Sequence, residues 1–422
     1  MRSARLAVGL LLAINLFNYI DRYVLAAVES KIAGDLLPHD PNALAKMGSL
    51  ATAFIVSYML TAPIFGWLAD RMSRWLLVGL GVTLWTLASG ASGLASTFTM
   101  LLATRLFVGV GEGGYGPAAP TIIADLFPVA RRGQVLAWFY MAIPVGSALG
   151  YVLGGAIAEH AGWRWAFYAV VPPGLLLGVF CFLMRDPPRG NAAAGGASPP
   201  HKPGVADYLQ LLKTPSYVLD CAGMTAMTFG IGGIAFWMPR YITEYRQAGT
   251  LTHVNLVFGV ISCIAGVAGT LLGGIAGDRL RPRFGGSYFL VSGAGILLSA
   301  PAVVGMLYLP FPAAWAALFV AEFFLFFNTG PANTILANVT HPSVRATAFA
   351  LNILLIHALG DALAPPVLGH LAERFSWNVA FATVVAFLVL AGALWLWAAR
   401  YLERDTARWA GDDATEGHAA RS

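Results

Sequence analysis

The chain has 422 residues, of which 58% are hydrophobic and only 11% charged, with a mean hydropathy of +0.68. A soluble domain carries about 25% charged residues, so this composition excludes a water-soluble globular protein and calls for lipid as the solvent. The net charge of +5 and the pI near 9.1 are accounted for by basic loops beside a membrane and need no nucleic-acid partner.

Apolar runs long enough to cross ~30 Å of hydrocarbon recur along the whole chain. Twelve spans are predicted: 5–30, 48–69, 75–95, 99–126, 133–158, 164–184, 216–239, 252–277, 287–309, 313–338, 346–371 and 377–400. The first lacks a cleavage site and runs into a charged stretch, so it reads as a retained helix and not a signal peptide. With both termini cytoplasmic, eighteen Lys and Arg residues fall on that side and six on the other, the positive-inside pattern. The expectation is an all-α, multi-pass protein of a bacterial inner membrane, monomeric, with a cytoplasmic tail at 402–422. Cys181, Cys221 and Cys263 each fall inside a span, which predicts free thiols and no disulfide framework.

In the first span Asn15, Asn18, Asp21 and Arg22 lie within an arc of about 120° at 100° per residue. In the fourth, Arg105, Gly109 and Glu112 follow at i, i+4 and i+7 on one face. Gly109, Gly111 and Gly114 spell the G-x-G-x-x-G of dinucleotide folds. That fingerprint needs a preceding strand and a free helix N-terminus, and here it follows ten residues of membrane helix. Its glycines are read instead as close-packing positions, with Pro117 expected to kink the span. A charge facing lipid at mid-membrane costs at least ~2.5–3.5 kcal/mol, so both polar faces are expected to look inward. Asp21, Arg22 and Glu112 are then one cluster. A structural ion pair would serve packing alone. Two acids with one base go further, because Arg22 neutralises one carboxylate at a time and leaves the other to take up a proton.

After the second span come Asp70, Arg71 and Arg74, and the same "G-x-x-x-D-R" pattern returns with Asp278 and Arg279. Residues 185–215 are rich in Pro, Gly and Ala and read as a linker between a first bundle, 1–184, and a second, 216–401. The seventh span carries Phe229, Phe236 and Trp237, which serve as ordinary packing or as a lining for an apolar ligand. In the eleventh, His357 and Asp361 are i, i+4 neighbours, and Glu322 lies in the tenth, where the sequence shows no evident basic residue to match it. The halves repeat one another. "GWLADRMSR" at 66–74 returns as "GIAGDRLRP" at 274–282, an offset of 208. An offset of 214 then pairs Gly116–Pro117 with Gly330–Pro331, Glu159 with Glu373, and Trp163 and Phe167 with Trp377 and Phe381. A tandem duplication of six helices places a transporter's substrate between the halves near mid-membrane.

Twelve spans in two repeats with this loop motif resemble the major facilitator superfamily. More narrowly, "NYIDRYVLAAV", "RLFVGVGEGGYGPAAPTIIADLFP", "FYMAIPVGSALGYVLGG" and "HALGDALAPPVLG" resemble its Spinster branch. The resemblance implies alternating access, with Asp21 and Glu112 as protonation sites and Arg22 as their switchable partner. It implies that Asp70 faces the start of the eleventh span as a latch with Arg71, Arg74, Asp278 and Arg279. It also implies a lysophospholipid or sphingoid-type substrate, for which Asn15, Asn18, Arg22, Arg105, Tyr115, Phe229, Phe236, Trp237, His357 and Asp361 are candidate contacts. Ser73 stands where the superfamily usually has Gly. Residue chemistry alone leaves open a proton-coupled transporter of small organic anions or drugs. An intramembrane enzyme on His357 and Asp361 is disfavoured, since no H-E-x-x-H or further His cluster accompanies them. No cofactor and no metal are expected.

Overall fold

The computed structural model of the chain describes residues 2–69, 71–127, 129–186, 210–340 and 344–408. Among the described residues the regular structure is entirely helical. In chain order the helices are α1 (Arg2–Leu36), α2 (Ala43–Ala69), α3 (Arg74–Gly93), α4 (Phe98–Tyr115), α5 (Ala118–Leu126), α6 (Val129–His160), α7 (Trp163–Tyr168) and α8 (Val171–Leu183). There follow α9 (Pro215–Arg240), a π-helical turn (Tyr241–Tyr245), α10 (Leu251–Leu280), α11 (Ser287–Tyr308), α12 (Ala313–Phe327) and α13 (Thr329–Asn338). The chain continues through α14 (Arg345–Ile356), a second π turn (His357–Asp361), α15 (Ala364–Arg374) and α16 (Trp377–Ala398).

Eleven helices among the described residues are long and apolar enough to cross a membrane. The remaining predicted span, the fourth, is divided by Gly116–Pro117 into α4 and α5, where proline's missing N–H interrupts the ladder. The tenth divides at Asn328, just before Gly330–Pro331, so the repeated Gly-Pro marks a break in both halves. The outer faces of the spans are apolar, as a lipid-facing surface requires. Leu60, Ile64, Trp67, Leu183 and Leu271 are 55–73% exposed, while Asp21, Arg105 and Glu112 are buried.

Helix starts are capped in the usual way. Thr97 accepts the Met100 amide at 3.2 Å for α4, and Ser73 accepts the Leu76 amide at 3.3 Å for α3. Asp186 adds a second cap on α3, accepting the Arg74 and Trp75 amides at 2.8 and 3.0 Å. In the turn before α2, Lys46 and the Asn42 amide hold the Asp40 carboxyl below its ordinary range.

Two compact units result. The first combines Met1–Ala197 with Ile234–Cys263 and Pro365–Trp377. In it α1 packs along α6, α4 along both α2 and α3, and α3 along α8. The three fingerprint glycines sit in those crossings. A Cβ on Gly109 would run into Ser57 and the Phe54 carbonyl of α2, and one on Gly111 would lie 2.6 Å from the Trp85 amide of α3. Gly114 is 3.4 Å from Gly81 of α3 by the same construction. They are helix-packing residues, as expected, and no strand precedes them.

The second unit combines Ser198–Gly233, Ile264–Ala364 and Asn378–Ser422. There α11 packs on α12 and α13, and the Trp395 indole donates to buried Asp220 at 2.9 Å. Its second π turn packs tightly on α9, since a Cβ on Gly232 would meet Asp361 at 2.9 Å and one on Gly360 would meet Thr228 at 3.0 Å.

Candidate functional site

The inward faces of α1, α3 and α4 build a buried charge cluster in the first unit. Arg22 Nη2 donates to Glu112 Oε2 at 2.5 Å, and its guanidinium lies 5.0 Å from the Tyr19 ring and 4.7 Å from the Phe54 ring. Asp21, 1% exposed, accepts a short hydrogen bond from the Ser89 hydroxyl of α3. Arg105, 3% exposed, donates to Ser92, which in turn pairs with Thr104 at 2.8 Å, and its guanidinium lies 5.3 Å from the Phe167 ring. Asp21 feels Arg105, Glu112 and Arg22 electrostatically, and Arg105 feels Asp21 first and Glu112 second.

The composition of this cluster corrects the charge count made from sequence. Periodicity placed Arg105 two turns from Glu112 and left two acids against one base. The fold brings Arg105 into range of Asp21, so two acids face two bases. Five of the cluster's buried polar atoms have no hydrogen-bond partner among the described residues: Asn18 Nδ2, Asp21 Oδ2, Arg22 Nε, Arg105 Nε and Glu112 Oε1. Such groups are rare in folded interiors, and a cluster of them calls for a functional explanation.

The other predicted contacts separate into groups. Asn15 donates to the Phe139 carbonyl at 2.7 Å, and the Tyr115 hydroxyl donates to the Leu11 carbonyl at 3.1 Å. Both tie α1 to neighbouring helices. Trp237 is fully buried, donates its indole N–H to the Pro365 carbonyl at 2.8 Å and packs edge-on against Phe236 and Trp377. Phe229 belongs to the second unit, stacked on Phe387 at 4.1 Å. In that unit His357 Nδ1 lies 3.0 Å from Asp361 Oδ2 within the π turn, with roughly a quarter of each side chain exposed. Glu322 is buried in α12.

Of the loop-motif residues, Asp70 lies outside the described residues, as do 187–209 of the linker and the tail beyond 408. Arg71 is exposed and stacks on Trp67 at 4.1 Å. Arg74 is 4% exposed and pairs with Asp125 of α5 at 2.6 Å. Asp278 accepts from the Tyr288 hydroxyl at 2.9 Å, and Arg279 is exposed.

Among the ion pairs that sequence reasoning missed, one is buried between α1 and α9. Glu29 of α1, 1% exposed, accepts from Arg240 Nη1 at 2.7 Å, and Arg240 also holds Glu244 at 2.7 Å. Arg240 counted only as a loop charge, and Glu29 passed as the end of an apolar run. An intramembrane carboxylate with no partner on its own helix was the signal available.

The split helices, the paired halves and a buried charge network define a membrane transporter, and comparison with known proteins agrees. The Major Facilitator Superfamily profile matches residues 11–365. Spinster homolog 3 of Danio rerio is 37% identical over 393 residues, covering 89% of this chain and 78% of its own. Human spinster homolog 1 is 36% identical over 444 residues, with 96% and 82% covered. The chain belongs to the Spinster family of the Major Facilitator Superfamily. Its fold matches that of a bacterial homolog of the human lysosomal transporter Spinster, crystallised inward-facing and unoccupied, with a TM-score of 0.83 at 21% identity over 96% of this chain and 98% of that one. A D-xylose-proton symporter shares the fold at a TM-score of 0.71 and 16% identity, with 94% and 96% covered. The protein is thus a multi-pass membrane transporter of a small-molecule substrate.

Proposed function

We propose that this transporter couples proton movement to the passage of an amphipathic substrate, of the lysophospholipid or sphingoid type, by alternating access of its two six-helix repeats, 1–184 and 216–401. The observation that carries this reading is the buried cluster of Asp21, Glu112, Arg22 and Arg105 with its unpartnered polar atoms. With both acids charged the cluster is neutral. Glu112 is held by Arg22 in an ion pair, whereas Asp21 accepts a hydrogen bond from the Ser89 hydroxyl with Arg105 in electrostatic range, so Asp21 is the acid that can exchange a proton without breaking an ion pair. Protonation there leaves one surplus positive charge on the two arginines, which an anionic headgroup would complement. Protonation of Glu112 in turn frees Arg22 from α4 and alters how α1 packs.

The phenyl and indole rings of α9 are buried as packing, whereas His357 with Asp361, each partly exposed, offers polar contacts in the second repeat. Asp70, Arg71 and Arg74 are proposed as the latch on the terminus side, with Asp278 and Arg279 as their counterparts. The protein is proposed to act as a monomer in a bacterial inner membrane with both termini cytoplasmic.

The test is flux into proteoliposomes with and without an imposed pH gradient, using a labelled lysophospholipid, a sphingoid base and a small organic anion. Gradient-driven uptake of either lipid supports the reading, and uptake of the organic anion alone overturns the substrate class. A Glu112→Gln, Asp21→Asn double variant that retains wild-type gradient dependence refutes proton coupling through the cluster.

A further inference from the structure

Two carboxylates outside the charge cluster occupy matching places in the internal repeat. Gly155-Ala-Ile-Ala-Glu159 ends α6 and Gly369-His-Leu-Ala-Glu373 ends α15, at the offset of 214. Each reaches a helix of the opposite repeat. Glu159 Oε2 accepts the Thr252 amide of α10 at 2.7 Å. Glu373 accepts the Leu44 amide of α2 through a short bond and the Ala45 amide at 3.4 Å. These two recipients are themselves equivalent, because the offset of 208 that relates α2 to α10 carries residue 44 onto residue 252.

The glycine one turn before each glutamate is the point of closest approach. A Cβ on Gly369 would lie 2.6 Å from the Leu44 carbonyl oxygen, and one on Gly155 would lie 2.8 Å from Asn255. Asn255, fully buried, adds a bond to the Ala27 carbonyl of α1 at 3.2 Å. All of these residues belong to the first compact unit. They gather at the end of the helices where α1 finishes and where Arg240 holds Glu29.

The first turn of a helix leaves amides without intrahelical partners, and a carboxylate there accepts them and meets the positive end of the helix dipole. A side chain next to the helix in sequence normally provides the cap and keeps it in every conformation. Here the cap comes from the other repeat. It exists only while the two helices touch.

We propose that Glu159 and Glu373 are a repeat-related pair of latches that hold this end of the transporter shut, each capping the first turn of a helix from the opposite repeat. The proposal rests on the alternating-access reading and adds to it which contacts must break when this end opens. Each Gly-x-x-Ala-Glu segment is one half of the device, the glycine setting the distance and the glutamate closing it. The two halves are unequal. Glu373 is half-buried and binds two amides, whereas Glu159 is exposed and binds one. Cap energies scaled for exposure give about fivefold in the closed-to-open ratio for Glu373 and about twofold for Glu159.

The experiment is a pulsed spin-label distance measurement across this end, with labels at exposed His39 and Gln247, in detergent and in nanodiscs. Glu373→Ala and Glu159→Ala should each add a longer-distance population, and together they should raise its weight on the order of tenfold, the product of the two. Glu→Gln at both sites keeps an acceptor without the charge and should give a smaller shift than Ala. Melting temperature is recorded alongside, and if the Ala variants fail to fold, the Gln pair carries the test. Distances in the double variant that superimpose on wild type overturn the latch. Full opening from one substitution alone overturns the pairing. Neither outcome touches the transport reading, which is judged separately by wild-type flux in proteoliposomes.

Discussion

Removing the Glu112 charge probes the cluster most directly. The Arg22–Glu112 contact is 2.5 Å, and the two side chains are 28% and 2% exposed. Deleting one member of a fully buried pair costs about 3–5 kcal/mol, mostly by stranding the other charge. Arg22 is not fully stranded, because it keeps some solvent and the Tyr19 and Phe54 rings, each ring worth about 0.5–1 kcal/mol. Glu112→Ala is therefore expected to destabilise by about 2–3 kcal/mol, and Glu112→Gln, which keeps an acceptor, by about half that. Arg22→Ala leaves a carboxylate buried at 2% exposure and should cost more than Glu112→Ala. Combined, the two alanine substitutions should cost about 2 kcal/mol less than the sum of the singles, since the double variant strands neither charge. Reversible unfolding in mixed detergent micelles measures the cycle. Additivity within about 0.5 kcal/mol would mean that the two groups are neighbours without energetic coupling, and the cluster would lose its central pair.

Three further outcomes follow from the same geometry. Gly109→Ala drives a methyl group into Ser57 and the Phe54 carbonyl and should lower the unfolding free energy by about 1–3 kcal/mol, read as a fall in melting temperature with the flux of surviving protein little changed. Arg74→Ala strands Asp125 at the start of the α3–α5 contact and should destabilise by about 3 kcal/mol, whereas a pure topology charge would leave the melting temperature where it was. Single cysteines at Gln247 and Lys213 should react with an impermeant maleimide from opposite sides of the membrane, and labelling of both from one side would defeat the twelve-span topology.

The membrane solvent made much of the fold legible. Where lipid surrounds the chain, every spanning helix must be apolar for about 20 residues, and the runs could be counted. The Gly-Pro break could be read too, because proline's missing donor acts wherever it falls, and the repeat carried it to Gly330–Pro331. The acids of the cluster were legible for the same reason, since Asp21 and Glu112 are costly in hydrocarbon and must face inward. Partner identity was not, and the misses share one cause. Helical periodicity relates residues on one helix, so Arg105 was measured against Glu112, on its own helix, and its effect on Asp21 of α1 went unseen. Arg74 with Asp125, Asp186 with the start of α3, and Glu29 with Arg240 lie 51, 112 and 211 positions apart, and only packing brings them together. Glu159 and Glu373 are the instructive case. The repeat showed that they are equivalent, yet equivalence within one chain says nothing about what either touches. Their role required the crossing of α6 with α10 and of α15 with α2, which Gly155 and Gly369 permit. Two glycines and two glutamates one turn apart are a pattern that sequence displays, and only the opposite repeat gives it a meaning.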